Sequence, residues 1–320
     1  MDRNTTAPET LVDAVRFFAD PDVCLSFLAS LRWGNSNVTC PTCGGQDVAF
    51  LTNQRRWQCR ENHERRQFSI KVGTIFEDSP IPLDKWLPAV WMIVNDKNGI
   101  SSYEVARALA VTQKSAWFMM HRIRTAMQRG GLDKMAGDVE ADETFIGGKA
   151  RFMHKHKRAE KIHGTGGMDK SAVMGLLERH GPDGHSRVRV KPVPNRKKKT
   201  LTAEVRQHVA AGSNLYTDAL ASYAGLTEFE HGVIDHAESY VRGKVHTNGL
   251  ENFWSLLKRG IKGTYVSVEP FHLFRYLDEQ AFRFNARKTT DAKRFLDVLR
   301  TIVGRRLTYK ELIGQSPALA

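Results

Sequence analysis

The chain has 320 residues, and its 48 Lys and Arg against 35 Asp and Glu give a formal net charge of +13. This length excludes a minimal peptide and accommodates two or three modules with ordinary cores, while the basic balance favours a polyanionic partner. No apolar run approaches the roughly 20 residues that span a bilayer, and the first residues lack a charged region followed by an apolar core. We therefore expect a cytoplasmic protein without a membrane partner.

The first predicted elements are helices within residues 1–35. Asp20 and Pro21 are typical of the cap and first turn of a helix, and apolar residues then recur at four-residue steps. Cys24 lies in this segment, and we assign it to core packing.

The next segment, residues 36–78, carries the pattern of a zinc ribbon. CPTCGG contributes Cys40 and Cys43, and WQCRENH contributes Cys59 and His63. This Cys3His set has the spacing of a structural Zn²⁺ site, and a short segment with few large apolar side chains needs such an ion in order to fold. The alternative is that the cysteines are reduced buried thiols and the histidine is a surface residue.

Residues 79–132 have the pattern of a helix-turn-helix. We predict that Asp84 caps one helix, that Ser101 and Glu104 form a capping box on the next, and that Thr112 caps a third. The third helix would present a polar and basic face to a DNA major groove. That face consists of Gln113, Lys114, Ser115, His121, Arg122 and Arg124. A plain helical hairpin with a solvated basic face is the alternative.

From Gly137 onward the apolar pattern changes to that of strands. GDVEADETFIGG alternates, so Val139, Ala141 and Phe145 share one face and Asp142 lies on the other. Two more strands, a helix over residues 200–211 and a strand ending at Asp218 follow. Glu140 and Glu143 are expected on the face opposite Asp142, in structural or solvated roles.

A basic, glycine-rich stretch over residues 149–170, which begins at Lys149, separates the first two of these strands. It has no apolar period, so we predict a loop over the site or the DNA. A solvated charged surface and direct phosphate contact are both open for this stretch.

Three acids are spaced like those of a metal nuclease: Asp142, Asp218 and Glu251. Two-metal cleavage or joining of a phosphodiester requires carboxylates brought together from separate parts of a fold, and hard oxygen ligands select Mg²⁺ or Mn²⁺. Glu251 falls on a helix predicted from about Thr247, and Lys258 shares its face two turns later. The apolar stripe of that helix is Leu250, Phe253, Trp254 and Leu257.

Several motifs resemble DDE transposases of zinc-ribbon insertion sequences, the ISXO-like group related to Merlin elements. They are DETFIGGK, the TD at a strand end, HTN followed by LENFWSLLKR, and EQAFRFNARK at residues 279–288. The resemblance runs from about Trp33 to Lys288. It departs from the group at His63, because a second C-x-x-C often stands there and Asn62 occupies the expected position.

The resemblance implies an α/β fold in which a ribonuclease-H-like mixed-sheet core, residues 133–290, follows the zinc ribbon and the helix-turn-helix. The predicted order of three strands, helix and strand matches such a core. A C-terminal helical tail, residues 291–320, would complete the chain. Before it, a helix around residues 271–288 is expected to pack on the core with Phe271, Phe274, Leu277 and Ala281 inward.

The implied function is transposition of DNA by two-metal chemistry, with Asp142 and Asp218 as metal ligands. The third position is Glu251, our first choice, or Asn248, since related groups are described with either residue. Lys258 and Arg259, with Lys149 in the loop, would contact DNA phosphates. The implied partners are double-stranded DNA, as terminal inverted repeats and target, and further copies of the chain, at least a dimer in the synaptic complex of a bacterial nucleoid.

Two other classes of protein stay open. A zinc-ribbon DNA-binding regulator, or a decayed element without catalysis, would share the composition and the N-terminal motifs. A metal-dependent nuclease without strand transfer would have the same three acids. Joining of a 3′ end to target DNA would distinguish a transposase from such a nuclease.

Overall fold

The computed structural model describes residues 7–34, 37–128, 133–147, 155–156, 170–218, 221–234 and 245–315. The chain forms two compact units, one of residues 1–128 with 288–320 and one of residues 129–287. The chain therefore leaves the first unit, builds the second, and returns to the first.

A small antiparallel sheet forms the ribbon part of the first unit. Its strands are β1 (Val48–Leu51), β2 (Arg56–Cys59) and β3 (Gln67–Phe68), in that order. Trp57 on the middle strand is buried and stacks on Phe68 with 6.0 Å between ring centroids. The rings of Trp33 and Phe50 also contact that of Trp57, with 5.2 Å and 5.1 Å between centroids, so this one indole is the centre of the packing of the ribbon.

Within its described residues, the first unit also contains five α-helices before residue 128. They are α1 (Leu11–Phe17), α2 (Pro21–Trp33), α3 (Leu83–Asn95), α4 (Ser102–Leu109) and α5 (Gln113–Met127). The caps predicted at Asp20, Ser101 and Thr112 are confirmed, since each side chain accepts a backbone N–H of the first turn. The predicted cap at Asp84 is wrong, because the helix already begins at Leu83 and Asp84 lies within its first turn.

The second unit contains a five-stranded sheet with helices on both faces. Its elements are β4 (Asp138–Ile146), β5 (Ser171–Glu178), β6 (Arg187–Val193), α6 (Lys198–His208), β7 (Asn214–Asp218), β8 (Glu230–Ile234), α7 (Asn248–Gly260) and α8 (Leu273–Asn285). The strand order is β6-β5-β4-β7-β8. The three strands from β4 to β6 pair antiparallel, whereas β7 runs parallel to both β4 and β8. The second unit is therefore a mixed α/β structure, and its predicted sequence of three strands, helix and strand is confirmed.

The alternation of β4 divides two apolar clusters. Val139 and Ala141 face the cluster that includes residues of α6, and Phe145 packs against it, as predicted. The other cluster joins Val173 and Leu177 of β5 to residues of α7 and α8. Asp142 belongs by alternation to this second face, on which α7 lies.

The helix α8 differs from the prediction at its start. Phe271 and Phe274 are 54% and 37% exposed, so the expectation that they point inward is wrong. A 3-10 turn covers Pro270–His272 and the α-helix begins only at Leu273, which is buried together with Leu277. At the other end, Asn285 donates to the carbonyl of Val188 and accepts its N–H, and so fastens α8 to β6.

After α8 the chain returns to the first unit with α9 (Asp291–Leu299) and α10 (Tyr309–Leu312). Phe295 of α9 is fully buried, and its ring centroid lies 5.7 Å from that of Phe18 and 5.1 Å from that of Trp91. The C-terminal residues thus complete the core that the N-terminal helices begin. Among the described helices, none has the length and apolar character needed to cross a membrane.

Candidate metal and nucleic-acid sites

The four predicted zinc ligands converge. One ligand atom from each of Cys40, Cys43, Cys59 and His63 lies within 4.8 Å of all the others. Cys40 Sγ is 3.5 Å from His63 Nε2, and Cys43 Sγ is 3.6 Å from Cys59 Sγ. Tetrahedral zinc with Zn–S bonds of about 2.3 Å places neighbouring sulfurs about 3.8 Å apart, so the donor set fits that ion.

The knuckle around Cys40 and Cys43 is shaped by two glycines. Gly44 has φ +75°, a conformation that favours glycine, and its N–H donates to the carbonyl of Cys40. The N–H of Gly45 points at Cys43 Sγ at 3.4 Å. Backbone N–H groups directed at sulfur stabilise a thiolate, which is the form that binds zinc.

Cys24 stands apart from this cluster, as predicted. It is fully buried, its Sγ donates to the carbonyl of Phe18 at 3.2 Å, and burial raises the pKa of its thiol to about 12. A thiol of this kind is inert packing.

Asp142 and Asp218 lie on neighbouring parallel strands. Because Ala141 of β4 is paired with Thr217 of β7, the next residues of the two strands, Asp142 and Asp218, adjoin on the same face of the sheet where β7 ends. The pKa of Asp142 is raised, first by burial and then by the negative charges of Asp218 and Glu251. The three predicted acids are therefore close enough for their charges to interact.

The third acid is carried by the first turn of α7. Thr247 precedes the helix, Asn248 is its first residue, and Glu251 follows in the same turn; both of the latter are exposed. The charge of Glu251 acts on Asp142. The assignment of Glu251 or Asn248 to the third position stays a prediction.

Lys258 lies farther along α7 on the same side. It is half-buried, and its pKa is lowered by burial and by the neighbouring charge of Lys262, whereas the charge of Asp142 opposes that shift. Arg259, next in the chain, is exposed. Lys258 thus places a positive charge close enough to Asp142 for the two to interact.

Two residues near the acids, Trp254 and Glu140, have a contact or a position that was not predicted from the sequence. Trp254, assigned to the core, is indeed buried, but its Nε1 also donates to Asp142 Oδ2 at 2.9 Å. Glu140 was expected on the opposite face from Asp142, which is wrong: residues two apart on a strand share a face, and Glu140 accepts from Leu250 N of α7 at 2.9 Å.

Glu143 does lie on the other face, but it is not simply solvated. Tyr223 donates to its carboxylate, and burial, followed by the charges of Asp142 and Asp218, raises the pKa of Glu143 to about 7. Arg196 acts in the opposite direction. The sequence offered no signal for this contact, because Tyr223 lies outside the motifs.

The predicted DNA-contacting face of α5 is only partly exposed. Lys114 is exposed and Ser115 half-buried, both in the first turn, but Arg122 and Arg124 are 3% and 1% exposed and His121 is fully buried. The prediction that these last three face a DNA groove is therefore wrong.

The reason for the burial of Arg122 is structural. Its guanidinium donates to the carbonyls of Leu307 at 3.0 Å, Ile75 at 3.0 Å and Glu77 at 2.5 Å. The planar fork of donors thus joins α5 to two other segments of the first unit, one around residues 75–77 and one at Leu307. Lys149, the remaining predicted contact, lies outside the described residues.

Two family models and one described protein are similar in sequence to this chain. Residues 134–285 match the ISXO2-like transposase domain, and residues 20–63 match the transposase zinc-ribbon domain. A protein described as an uncharacterized protein in transposable element ISH50, from Halobacterium salinarum, is 26% identical over 302 residues, which cover 90% of this chain and 98% of that protein. The chain therefore carries a segment similar to the transposase zinc-ribbon domain, followed by one similar to the ISXO2-like transposase domain of insertion sequences.

Proposed function

We propose that this chain is a DDE transposase that binds the terminal inverted repeats of its element, cleaves at the ends and transfers the 3′ ends to target DNA. The match to the ISXO2-like transposase domain supports a metal-dependent nucleotidyl-transferase activity that acts on DNA. The observation that supports the finer proposal is that Asp142 and Asp218 follow paired residues of neighbouring parallel strands, and that the charges of Asp218 and Glu251 both act on Asp142.

This donor set fits a pair of hard divalent cations. Asp142 is a partly buried carboxylate whose pKa is raised by burial and by the negative charges of Asp218 and Glu251, so its ionised form is costly without a compensating positive charge. Mg²⁺ or Mn²⁺ held by Asp142, Asp218 and Glu251 would lower the pKa of the attacking hydroxyl and stabilise the leaving 3′ oxygen. Asn248 would hold the third position if Glu251 does not.

The protein's own side chains prepare that site. Trp254 Nε1 and the N–H of Glu143, at 2.9 Å and 2.7 Å, each donate to one oxygen of Asp142 and fix the orientation of the carboxylate. Lys258 supplies a positive charge near Asp142, which suits the phosphate that must approach there. Arg259 would contact the DNA backbone farther from the reacting atoms.

The fold supports the same proposal. We infer that the order β6-β5-β4-β7-β8, with three antiparallel strands followed by two parallel ones, is that of a ribonuclease-H-like core. We also propose that α4 and α5 form a helix-turn-helix in which Lys114 and Ser115 approach the DNA. Lys149 would contact a DNA phosphate. The modules of the chain would be N-terminal helices (1–35), a zinc ribbon (36–78), a helix-turn-helix (79–132), a catalytic domain (133–290) and a helical tail (291–320).

Synapsis of two element ends requires more than one copy of the chain, so we propose at least a dimer on DNA. The reason is mechanistic, because the reaction joins two ends to one target and each end needs an active site.

A donor-plasmid transposition assay with the element's own terminal repeats tests the proposal. We expect joined ends from the native chain and none from Asp142→Asn. The matched control is Asp138→Asn, on the same strand and face, whose carboxylate accepts from Asn214 Nδ2 at 2.8 Å and from the Tyr216 hydroxyl at 3.0 Å; this variant should retain joining.

The other outcomes separate the competing functions. Cleavage without joined ends would identify a metal-dependent nuclease. Binding to the repeats without cleavage or joining, by a folded native chain, would identify a DNA-binding regulator or a decayed element.

A further inference from the structure

We propose that Glu140, together with Arg179, is a positioning residue that sets the place of α7 along β4 and so holds the third acidic position opposite Asp142. This inference rests on the proposed function, because it concerns the residues that we assign to the metal site. Neither residue belongs to the three acids, and both are separated from Glu251 by long stretches of chain.

The first observation is a bond from the strand to the start of the helix. Glu140 is 1% exposed, and its Oε2 accepts the N–H of Leu250 at 2.9 Å. Leu250 lies in the first turn of α7, where backbone N–H groups have no partner within the helix. A carboxylate at this end also interacts favourably with the helix dipole.

Arg179 links the carboxylate of Glu140 to the segment that precedes α7. Its Nε donates to Glu140 Oε1 at 2.8 Å, and its Nη2 donates to the carbonyl of His246 at 2.7 Å. The guanidinium lies 4.3 Å from the ring centroid of Tyr216, which limits its movement. Glu140 and Arg179 together therefore hold both the first turn of α7 and the residue that leads into it.

Close approach of the helix is possible because a glycine stands at its second residue. A Cβ at Gly249 would lie 2.9 Å from Glu140 Oε2 and 3.0 Å from Leu177 Cδ2. Real Cβ atoms essentially never come closer than 3.0 Å to a neighbour, so a larger residue would displace the Glu140 carboxylate or the helix. Gly249 therefore lets the backbone of the first turn of α7 lie directly against the Glu140 carboxylate.

A second bond fixes the register. Trp254 Nε1 donates to Asp142 Oδ2 at 2.9 Å. On the helix, Leu250 and Trp254 are separated by four residues, a rise of about 6 Å, and on the strand Glu140 and Asp142 are separated by two, about 6.6 Å. Because the two spans are nearly equal, both bonds form together, and they oppose sliding of the helix along the strand.

The bond between Glu140 and Leu250 also fixes the position of both candidates for the third acidic position. Glu251 follows Leu250 directly, and Asn248 precedes it by two residues, so both candidates for the third position move with the peptide that Glu140 holds. A shift of that peptide would change the distance from either residue to Asp142 and weaken the binding of a shared cation. Partners of metal ligands commonly change metal affinity by about 10–100-fold when they are removed.

A second buried ion pair in the same sheet offers a matched control. Glu178 is 4% exposed, pairs with Arg187, and accepts the N–H of Ala136 at 2.8 Å. By alternation on β5 it lies on the opposite face from Leu177, which packs against α7. Its loss should therefore destabilise the unit without moving the third acid.

The test uses the full-length, zinc-loaded chain with Mn²⁺ as the probe. Free Mn²⁺ is measured by electron paramagnetic resonance in a titration without DNA, and half-maximal Mn²⁺ for cleavage of a terminal-repeat duplex is measured separately. We expect Glu140→Gln to weaken Mn²⁺ binding by about tenfold or more and to raise the cleavage midpoint in parallel, with DNA affinity unchanged. Glu178→Gln should lower the melting temperature and leave both Mn²⁺ values as in the native chain.

Should Glu140→Gln fail to fold, Arg179→Lys replaces it, because a lysine keeps the charge but cannot bond Glu140 and His246 with a fork of donors. We expect the same weakening of Mn²⁺ binding from that variant. Native Mn²⁺ values in whichever of the two variants is folded would overturn the inference, as would an equal change in Glu178→Gln.

The variant Asp142→Asn distinguishes failure of the positioning role of Glu140 from failure of the proposed function. If Asp142→Asn abolishes cleavage while Glu140→Gln has native Mn²⁺ values, only the positioning role is wrong. If Asp142→Asn cleaves as the native chain does, the proposed catalytic site itself is wrong, and the positioning role fails with it.

Discussion

Gly175 allows the indole of Trp254 to reach Asp142, and replacing it with alanine should disturb both stability and chemistry. Gly175 of β5 is paired with Asp142 of β4, so it lies directly beside the acid. A Cβ there would stand 2.6 Å and 2.8 Å from two atoms of the Trp254 six-membered ring, and 2.9 Å from Leu250 Cδ2. Since 3.4–4 Å is ordinary van der Waals contact, the rigid ring must move by about 0.8 Å or more.

The expected cost follows from this overlap. Extra volume in a packed core destabilises by about 1–3 kcal/mol, and we expect Gly175→Ala in this range. Because the ring carries Nε1, which is bonded to Asp142 at 2.9 Å, the same displacement should lengthen that hydrogen bond and slow cleavage. Guanidinium denaturation followed by circular dichroism measures the first effect, and single-turnover cleavage measures the second.

Two further variants make the test specific. Gly263→Ala is the control, because no atom lies within 4 Å of a Cβ at that position, and its stability should stay within about 0.5 kcal/mol of the native chain. Trp254→Phe removes the clashing ring atoms, so adding Gly175→Ala to it should cost less than in the native background, and the double-mutant cycle should report coupling. A Gly175→Ala chain as stable as the native one, or a cycle without coupling, would refute the packing argument.

Two other predictions concern the zinc cluster and the pH dependence. Cys43→Ser should remove stoichiometric zinc on elemental analysis whereas Cys24→Ala, outside the cluster, should retain it; zinc bound to Cys43→Ser at the native ratio would contradict the Cys3His site. The pKa of Glu143 is about 7 in the folded protein against an ordinary 4.5, so the folded state holds an extra proton between these values. The stability from this proton is fully present below pH 4.5 and is lost as the pH rises through about 7. In zinc-loaded protein free of Mg²⁺ and Mn²⁺, the melting temperature should therefore fall less steeply over this range in Glu143→Gln than in the native chain, and identical slopes would show that Glu143 is not the titrating group.

Features that depend on near neighbours in the chain could be predicted from the sequence. The capping box of α4 and the apolar stripe of α7 are decided by residues three or four positions apart. The Cys3His set was found because its spacing is local, and β4 was found because its side chains alternate. The three acids were recognised through motifs around each of them, and the structure brings their charges together.

Contacts between distant segments could not be predicted in the same way. Arg122 looks like a surface cation in a basic helix, yet it is buried because it bonds Leu307, 185 residues away, and two other carbonyls. The inward face assigned to α8 was wrong at Phe271 because a 3-10 turn delays the start of the helix. A helical pattern shows which residues share a face, but only packing decides where that face begins.

By itself, the sequence determined the alternation of β4, the apolar stripe of α7 and the Cys3His set, and it singled out three acids as candidates, since these depend on residue type and short spacing. Only the tertiary structure decided how the acids are held. Glu140 reaches Leu250 across 110 residues and Asp142 reaches Trp254 across 112, and the return of α9 to the N-terminal helices spans most of the chain. Such bonds form because folding excludes water from a shared core, where each buried charge or donor must find a partner, and the local sequence does not specify which partner that will be.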